Sequence, residues 1–130
     1  MASTVSIRVE DDVKIGIEHF WKAHGLGTSA GLRRAVEEWW AIQQFPEILF
    51  RDGVSGRRAA LREGPDVWEV IEVARGYDND LDRLEEHFGG HLSRAALVDA
   101  LRYADVYRGE IEQWMMENRR VGQLIEAGLR

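Results

Sequence analysis

The stretch Ser3-Thr-Val-Ser-Ile-Arg-Val9 alternates polar and apolar side chains without a break, the period of a half-buried β-strand. Val5, Ile7 and Val9 fall on one side, and Thr4, Ser6 and Arg8 on the other. A lone strand cannot satisfy its own backbone donors and acceptors. It must pair with a later segment of the same chain, for which Ile48-Leu-Phe50 and Ala59-Ala-Leu61 are candidates, or with the same strand of a second chain across a two-fold axis. The residues that follow fit the second solution.

Glu10, Asp11 and Asp12 suit the N-terminal turn of a helix. Val13, Ile17, Phe20, Trp21 and His24 then share one helical stripe. Gly25-Leu-Gly27 stops that helix, and Thr28 or Ser29 is placed to cap the next. Its apolar positions are Leu32, Ala35, Val36, Trp39, Trp40 and Ile42, and Phe45-Pro46 ends it. Two antiparallel copies of the strand would lay Val5, Ile7 and Val9 over these helices and leave Thr4, Ser6 and Arg8 as an exposed ribbon. Such a ribbon fits the major groove of DNA, where Arg reads guanine and Ser or Thr contacts base edges. The amides opening the second helix at Thr28 and Ser29 suit a phosphate, with Lys14, Lys22, Arg33 and Arg34 as further phosphate contacts.

The order strand, helix, Gly-rich turn, capped helix over residues 3–44 resembles the ribbon-helix-helix family of dimeric repressors and antitoxins. The resemblance implies a homodimer bound to operator DNA through Thr4, Ser6, Arg8, Thr28, Ser29, Arg33 and Arg34.

Beyond Phe45 the pattern changes. Ile48–Phe50 reads as a short strand, Arg51-Asp-Gly53 as a turn and Gly56–Leu61 as a second strand. Gly64-Pro-Asp66 breaks the chain before a helix from Val67 to Arg75, with Asp66 as its cap. Asp80 to Phe88 forms a short amphipathic helix, and Gly89-Gly90 ends it. Ser93 caps a third helix to about Tyr107, Gly109 marks a boundary, and Glu110 to Asn118 forms a fourth. Val121 to Leu129 is a weakly amphipathic tail. The segments Phe50-Arg-Asp-Gly53, Gly56-Arg-Arg-Ala59, Gly64-Pro-Asp-Val-Trp-Glu-Val70 and Leu97-Val-Asp-Ala-Leu-Arg-Tyr-Ala104 resemble domain-of-unknown-function family 433. Arg62-Glu63 and the loop Tyr77 to Asp80 depart from its pattern. This resemblance implies a small helix-turn-helix-like fold paired with a PIN-like ribonuclease toxin.

The expected fold class is therefore mainly α with short β. Residues 1–45 form a ribbon-helix-helix dimerisation and DNA-binding segment, residues 46–119 a small helical domain, and residues 120–130 a tail. The expected function is that of an antitoxin that neutralises a PIN-like ribonuclease toxin and represses its own operon. A stand-alone dimeric regulator and a protein-interaction adaptor are the alternatives. Two basic residues, Arg57 and Arg58, admit two readings. They enter the carboxylate-lined, metal-binding site of the toxin, or they bridge Asp52, Asp66 or Glu69 within their own fold. The tail residues Leu124 and Ile125 are candidate partner contacts.

Charge divides along the same line. The formal net charge is −6, from 17 basic and 23 acidic residues. Through Phe45 there are five basic and six acidic residues, and beyond it twelve and seventeen. An acidic second part suits a basic partner such as a nuclease, and it also serves solubility. There is no cysteine, which removes disulfides and thiolate metal sites. No apolar signal core or membrane-length apolar run is seen, so a cytoplasmic protein with no membrane partner is expected. The sequence shows no phosphate loop, nucleophile elbow or zinc-binding helix. His87 and His91 have helical spacing, but Gly89-Gly90 separates them. No enzyme activity, cofactor or metal is expected. Trp39, Trp40 and Trp68 read as core or dimer-interface anchors.

Overall fold

The computed structural model describes residues 1–128. The chain is mainly helical, with six helices and one two-stranded antiparallel sheet among the described residues. The helices are α1 (Asp11–Ala23), α2 (Thr28–Gln44), α3 (Val67–Gly76), α4 (Leu81–His87), α5 (Arg94–Val106) and α6 (Arg108–Glu126), and the strands are β1 (Ile48–Gly53) and β2 (Gly56–Leu61). The chain divides into two compact units, Met1–Trp39 and Trp40–Arg130.

In the first unit, α1 opens on Asp11 and Asp12, whose charges favour its N-terminus. It closes through a Schellman motif. Gly25 takes φ +74°, its N–H donates to Lys22 O at 3.1 Å, and Leu26 N–H donates to Trp21 O at 2.9 Å. That geometry needs a left-handed residue, which glycine supplies without steric cost. Helix α2 then starts at Thr28 itself, so neither Thr28 nor Ser29 is its cap. Gly27 stands before the helix, and its carbonyl accepts from Gly31 N–H at 2.9 Å. Trp21 is the one large side chain of this unit that is buried. Gly31 lies directly beneath it, and a Cβ at Gly31 would come within 2.1 Å of Trp21 Cδ2.

Residues 1–10 carry no regular secondary structure and are exposed. The strand expected over residues 3–9 is therefore not formed in the single chain. Nor does it join the other strands, because the sheet consists of β1 and β2 alone. The apolar stripes of α1 and α2 are also largely uncovered. Val13, Phe20, Leu32, Val36 and Trp39 are exposed, where the period had placed them inward. Two helices of one chain enclose too little space to bury both stripes.

The second unit has a contiguous core in which Ile48, Leu61, Val67, Val70, Leu84, Leu97, Tyr103 and Met115 are fully buried. Strands β1 and β2 pair from Ile48↔Leu61 to Gly53↔Gly56, joined by a two-residue turn at Val54-Ser55. The turn expected at Arg51–Gly53 is thus strand. Cross-strand chemistry explains the extension: Asp52 faces Arg57 with Arg57 Nη1 3.4 Å from Asp52 Oδ2, and opposite charges across a ladder favour pairing. Helix α3 has Asp66 at its N-cap, where the Glu69 carboxylate accepts from Asp66 N–H at 3.3 Å. Asp80 and Ser93 cap α4 and α5 by accepting from Arg83 N–H and Ala96 N–H, each at 3.1 Å. Between α3 and α4 the chain turns through Asp78 and Asn79, both with positive φ.

Helix α6 differs most from expectation. The boundary with α5 falls at Tyr107, two residues before Gly109, which lies in the first turn of α6, and the helix runs through Asn118 to Glu126 without a break. The tail is the continuation of that helix, and Leu129, its expected last apolar residue, lies outside the described residues.

Candidate nucleic-acid interface

The residues expected to meet DNA fall in two places within the first unit. Thr4, Ser6 and Arg8 are exposed on the N-terminal arm. Thr28, Ser29, Arg33 and Arg34 occupy the first two turns of α2. Thr28 is half-buried, and Ser29 and Arg33 are exposed. The first amides of α2 have no intrahelical acceptor, a feature of every helix start that favours anions. No acidic residue sits in that first turn to compete for them.

Arg34 behaves differently from Arg33. Its guanidinium lies 5.1 Å from the Trp21 ring centroid, and its Nε is 3.8 Å from Glu38 Oε2 one turn on. The stacking holds Trp21 over Gly31, so Arg34 supports the α1–α2 packing as well as the helix start. Phe20 meets Trp21 edge-on at 4.9 Å and stacks on His24 at 4.2 Å. His24 Nδ1–H donates to Phe20 O at 2.8 Å. His24 therefore belongs to the helix end.

Arg57 and Arg58 are both engaged inside the second unit. Arg58 and Asp66 form an ion pair, with Asp66 almost fully buried. Arg51 approaches the same carboxylate at 3.9 Å and donates to Leu61 O at 3.2 Å. Trp68 Nε1–H donates to Asp66 Oδ2 at 3.1 Å. Asp66 is thus the hub that ties the hairpin to the start of α3. The sequence marked Asp66 as a cap and Trp68 as an anchor, but nothing in the local pattern singled out Arg51. Its approach to Asp66 depends on the strand register, in which Arg51 faces Arg58. A second buried carboxylate, Asp99, was also not foreseen. It accepts from Glu47 N–H at 3.0 Å and from Arg102 at 3.5 Å.

The start of α5 is electrostatically masked. Arg94 donates to Asp82 Oδ1 at 2.8 Å and to Glu85 Oε1 at 3.0 Å. Those hydrogen bonds hold its pKa above the ordinary value. A groove of about 530 Å³ between α3, α5 and α6 is lined by Ile71, Leu101 and Ile111 together with charged residues. Its rim charges pair among themselves: Arg75 with Glu112, and Arg108 with Asp105 at 3.7 Å. His87 Nδ1 lies 3.2 Å from the Tyr77 hydroxyl, and among the described residues no three His, Cys, Asp or Glu are grouped to hold a metal ion. No helix among the described residues is long and apolar enough to cross a membrane.

No protein-family model matches the chain, and searches of curated proteins and solved structures likewise return no match.

Proposed function

We propose that the chain is a dimeric DNA-binding antitoxin, in which the first unit pairs with a second copy and grips operator DNA while the second unit engages a nuclease partner. The observation that supports it is the surface of the first unit. Trp21 is buried, while Val5, Ile7, Val9, Val13, Phe20 and Val36 are exposed. Burying apolar surface is worth about 25 cal/mol per Å², so a surface of this kind gains from a second chain. Antiparallel pairing of residues 3–9 would satisfy the arm's backbone and put Val5, Ile7 and Val9 over the helices. It would leave Thr4, Ser6 and Arg8 as the groove-facing ribbon. Masking of Arg94 by Asp82 and Glu85 argues for the ribbon, rather than α5, as the reader.

Arg57 and Arg58 are held by Asp52 and Asp66, so in this reading they stabilise the hairpin. The second unit presents its acidic exterior to a basic ribonuclease surface, which speeds and orients association.

The test joins light scattering to a gel shift on the promoter of the protein's own gene. The chain is expected to run as a dimer at micromolar concentration. Arg8→Ala is expected to weaken operator binding by about 1–3 kcal/mol, and Arg33→Ala to flatten the salt slope by about one unit. A folded monomer, or an operator affinity unchanged by Arg8→Ala, refutes the DNA-binding half. Co-expression with the neighbouring reading frame tests the other half, and failure of a nuclease partner to copurify removes it.

A further inference from the structure

Helix α6 outruns the core it packs on. Over its first two turns the inward face carries Ile111 and Met115, both buried. Trp114 beside them is half-buried, with the Arg58 guanidinium 5.8 Å from its ring. The same face continues for more than two further turns as Asn118, Val121 and Ile125, with Leu124 on its flank, all exposed. These positions carry a heptad. Ile111, Asn118 and Ile125 are spaced by seven residues, and Trp114 and Val121 fall between them at the complementary position. The charged residues Glu112, Arg119, Arg120 and Glu126 lie off this seam. Glu117 on its flank is already paired to Arg120 at 2.6 Å, an exposed bond that holds the Glu117 pKa below its ordinary value.

We propose that residues 118–125 of α6 pair in parallel and in register with the same segment of a second copy. Asn118 selects the occupant. Against a purely apolar surface its amide would be buried without partners, at a cost of about 1–3 kcal/mol. In a parallel, in-register pair it faces its own twin, and each amide supplies both the donor and the acceptor the other needs. Charge is also compatible. The residue flanking the seam at Glu117 meets the position of Gly122 in the other chain, so no like charges are brought together. The free segment is short, at roughly 12 Å for eight residues, and could not dimerise by itself. The inference therefore rests on the dimer of the first unit, which makes the meeting of the two α6 segments intramolecular.

The absence of native cysteine gives a direct test. A disulfide requires Cα atoms within roughly 7 Å, a distance met only inside the seam of a close pair. Val121→Cys places a thiol in the seam, and Gln123→Cys places one on the opposite face. Both sites are exposed in the single chain, so neither substitution threatens the fold. Full-length Val121→Cys is expected to convert to a covalent dimer under mild oxidation on a non-reducing gel, and Gln123→Cys to remain uncrosslinked. Equal conversion of both, or of neither, while light scattering still reports a dimer, overturns the α6 pairing and leaves the ribbon dimer standing. A monomer by light scattering overturns both.

Discussion

Replacing Gly31 by alanine tests whether the first unit is organised as described, because the two effects of the change have opposite signs. In a helix interior alanine is favoured over glycine by about 1 kcal/mol. At Gly31, however, the new Cβ would lie 2.1 Å from Trp21 Cδ2 and 2.3 Å from Cγ. These atoms sit at the root of the ring, where rotation about the side-chain bonds relieves least. The ring is also held by Phe20 at 4.9 Å and by Arg34 at 5.1 Å. Overpacking of this kind costs about 1–3 kcal/mol. The net expectation is a loss of about 1 kcal/mol, with Trp21 displaced. Gly16→Ala in α1 is the matched control, because its Cβ would meet nothing within 4 Å. It is expected to gain up to about 1 kcal/mol from propensity alone. Urea denaturation followed by circular dichroism measures both, and the Trp21 indole resonance reports the displacement. If Gly31→Ala stabilises the protein as much as Gly16→Ala does, the Trp21–Gly31 contact does not exist and the α1–α2 packing described above is wrong.

Two further expectations concern the second unit. Asp66→Ala removes the carboxylate shared by Arg58, Arg51 and Trp68 and leaves a largely buried guanidinium without its partner. A loss of about 3 kcal/mol is expected in denaturant titration, and a loss under about 1 kcal/mol would mean that the hairpin does not depend on this hub. The hydrogen bond from Arg75 holds the Glu112 pKa below its ordinary value. Its contribution to stability is present above the ordinary glutamate pKa and is lost as pH falls through the depressed one. An NMR titration is expected to show Glu112 titrating low in the wild type and returning upward in Arg75→Gln, and no difference between the two would refute the pairing.

The second unit was largely legible in the sequence because its signals are local. The Asp80 and Ser93 caps, the Pro65 break and the apolar period of α5 each act within a turn or two, and each element falls where those signals put it. The errors have equally local causes. Gly109 marked the α5–α6 boundary only to within two residues, because a glycine in the first turn costs little when Ile111 and Met115 anchor the turns after it. Arg51–Gly53 read as a turn because Asp-Gly is a turn dipeptide. The cross-strand pair of Asp52 with Arg57 and the convergence of Arg51 and Arg58 on Asp66 carried the strand further, and a register is invisible to a single-strand reading. The apolar faces of α1 and α2 were legible as patterns, but their exposure was not, because a period records that a face is apolar and says nothing of what lies against it. The candidate DNA residues share this property. Their alternation on the arm is plain in the sequence, but the single chain gives the arm no regular structure.

The exposed arm carries a consequence for the lifetime of the protein in a cell. Residues 1–10 have no regular structure and are exposed, and unprotected segments of this kind are where proteases cut first. A partner strand laid along the arm would shield it, and cleavage would then follow the population of unpaired chains. Dissociation is favoured by dilution, so scarce protein would be destroyed faster per molecule than abundant protein. Turnover per molecule would then steepen as the pool shrinks.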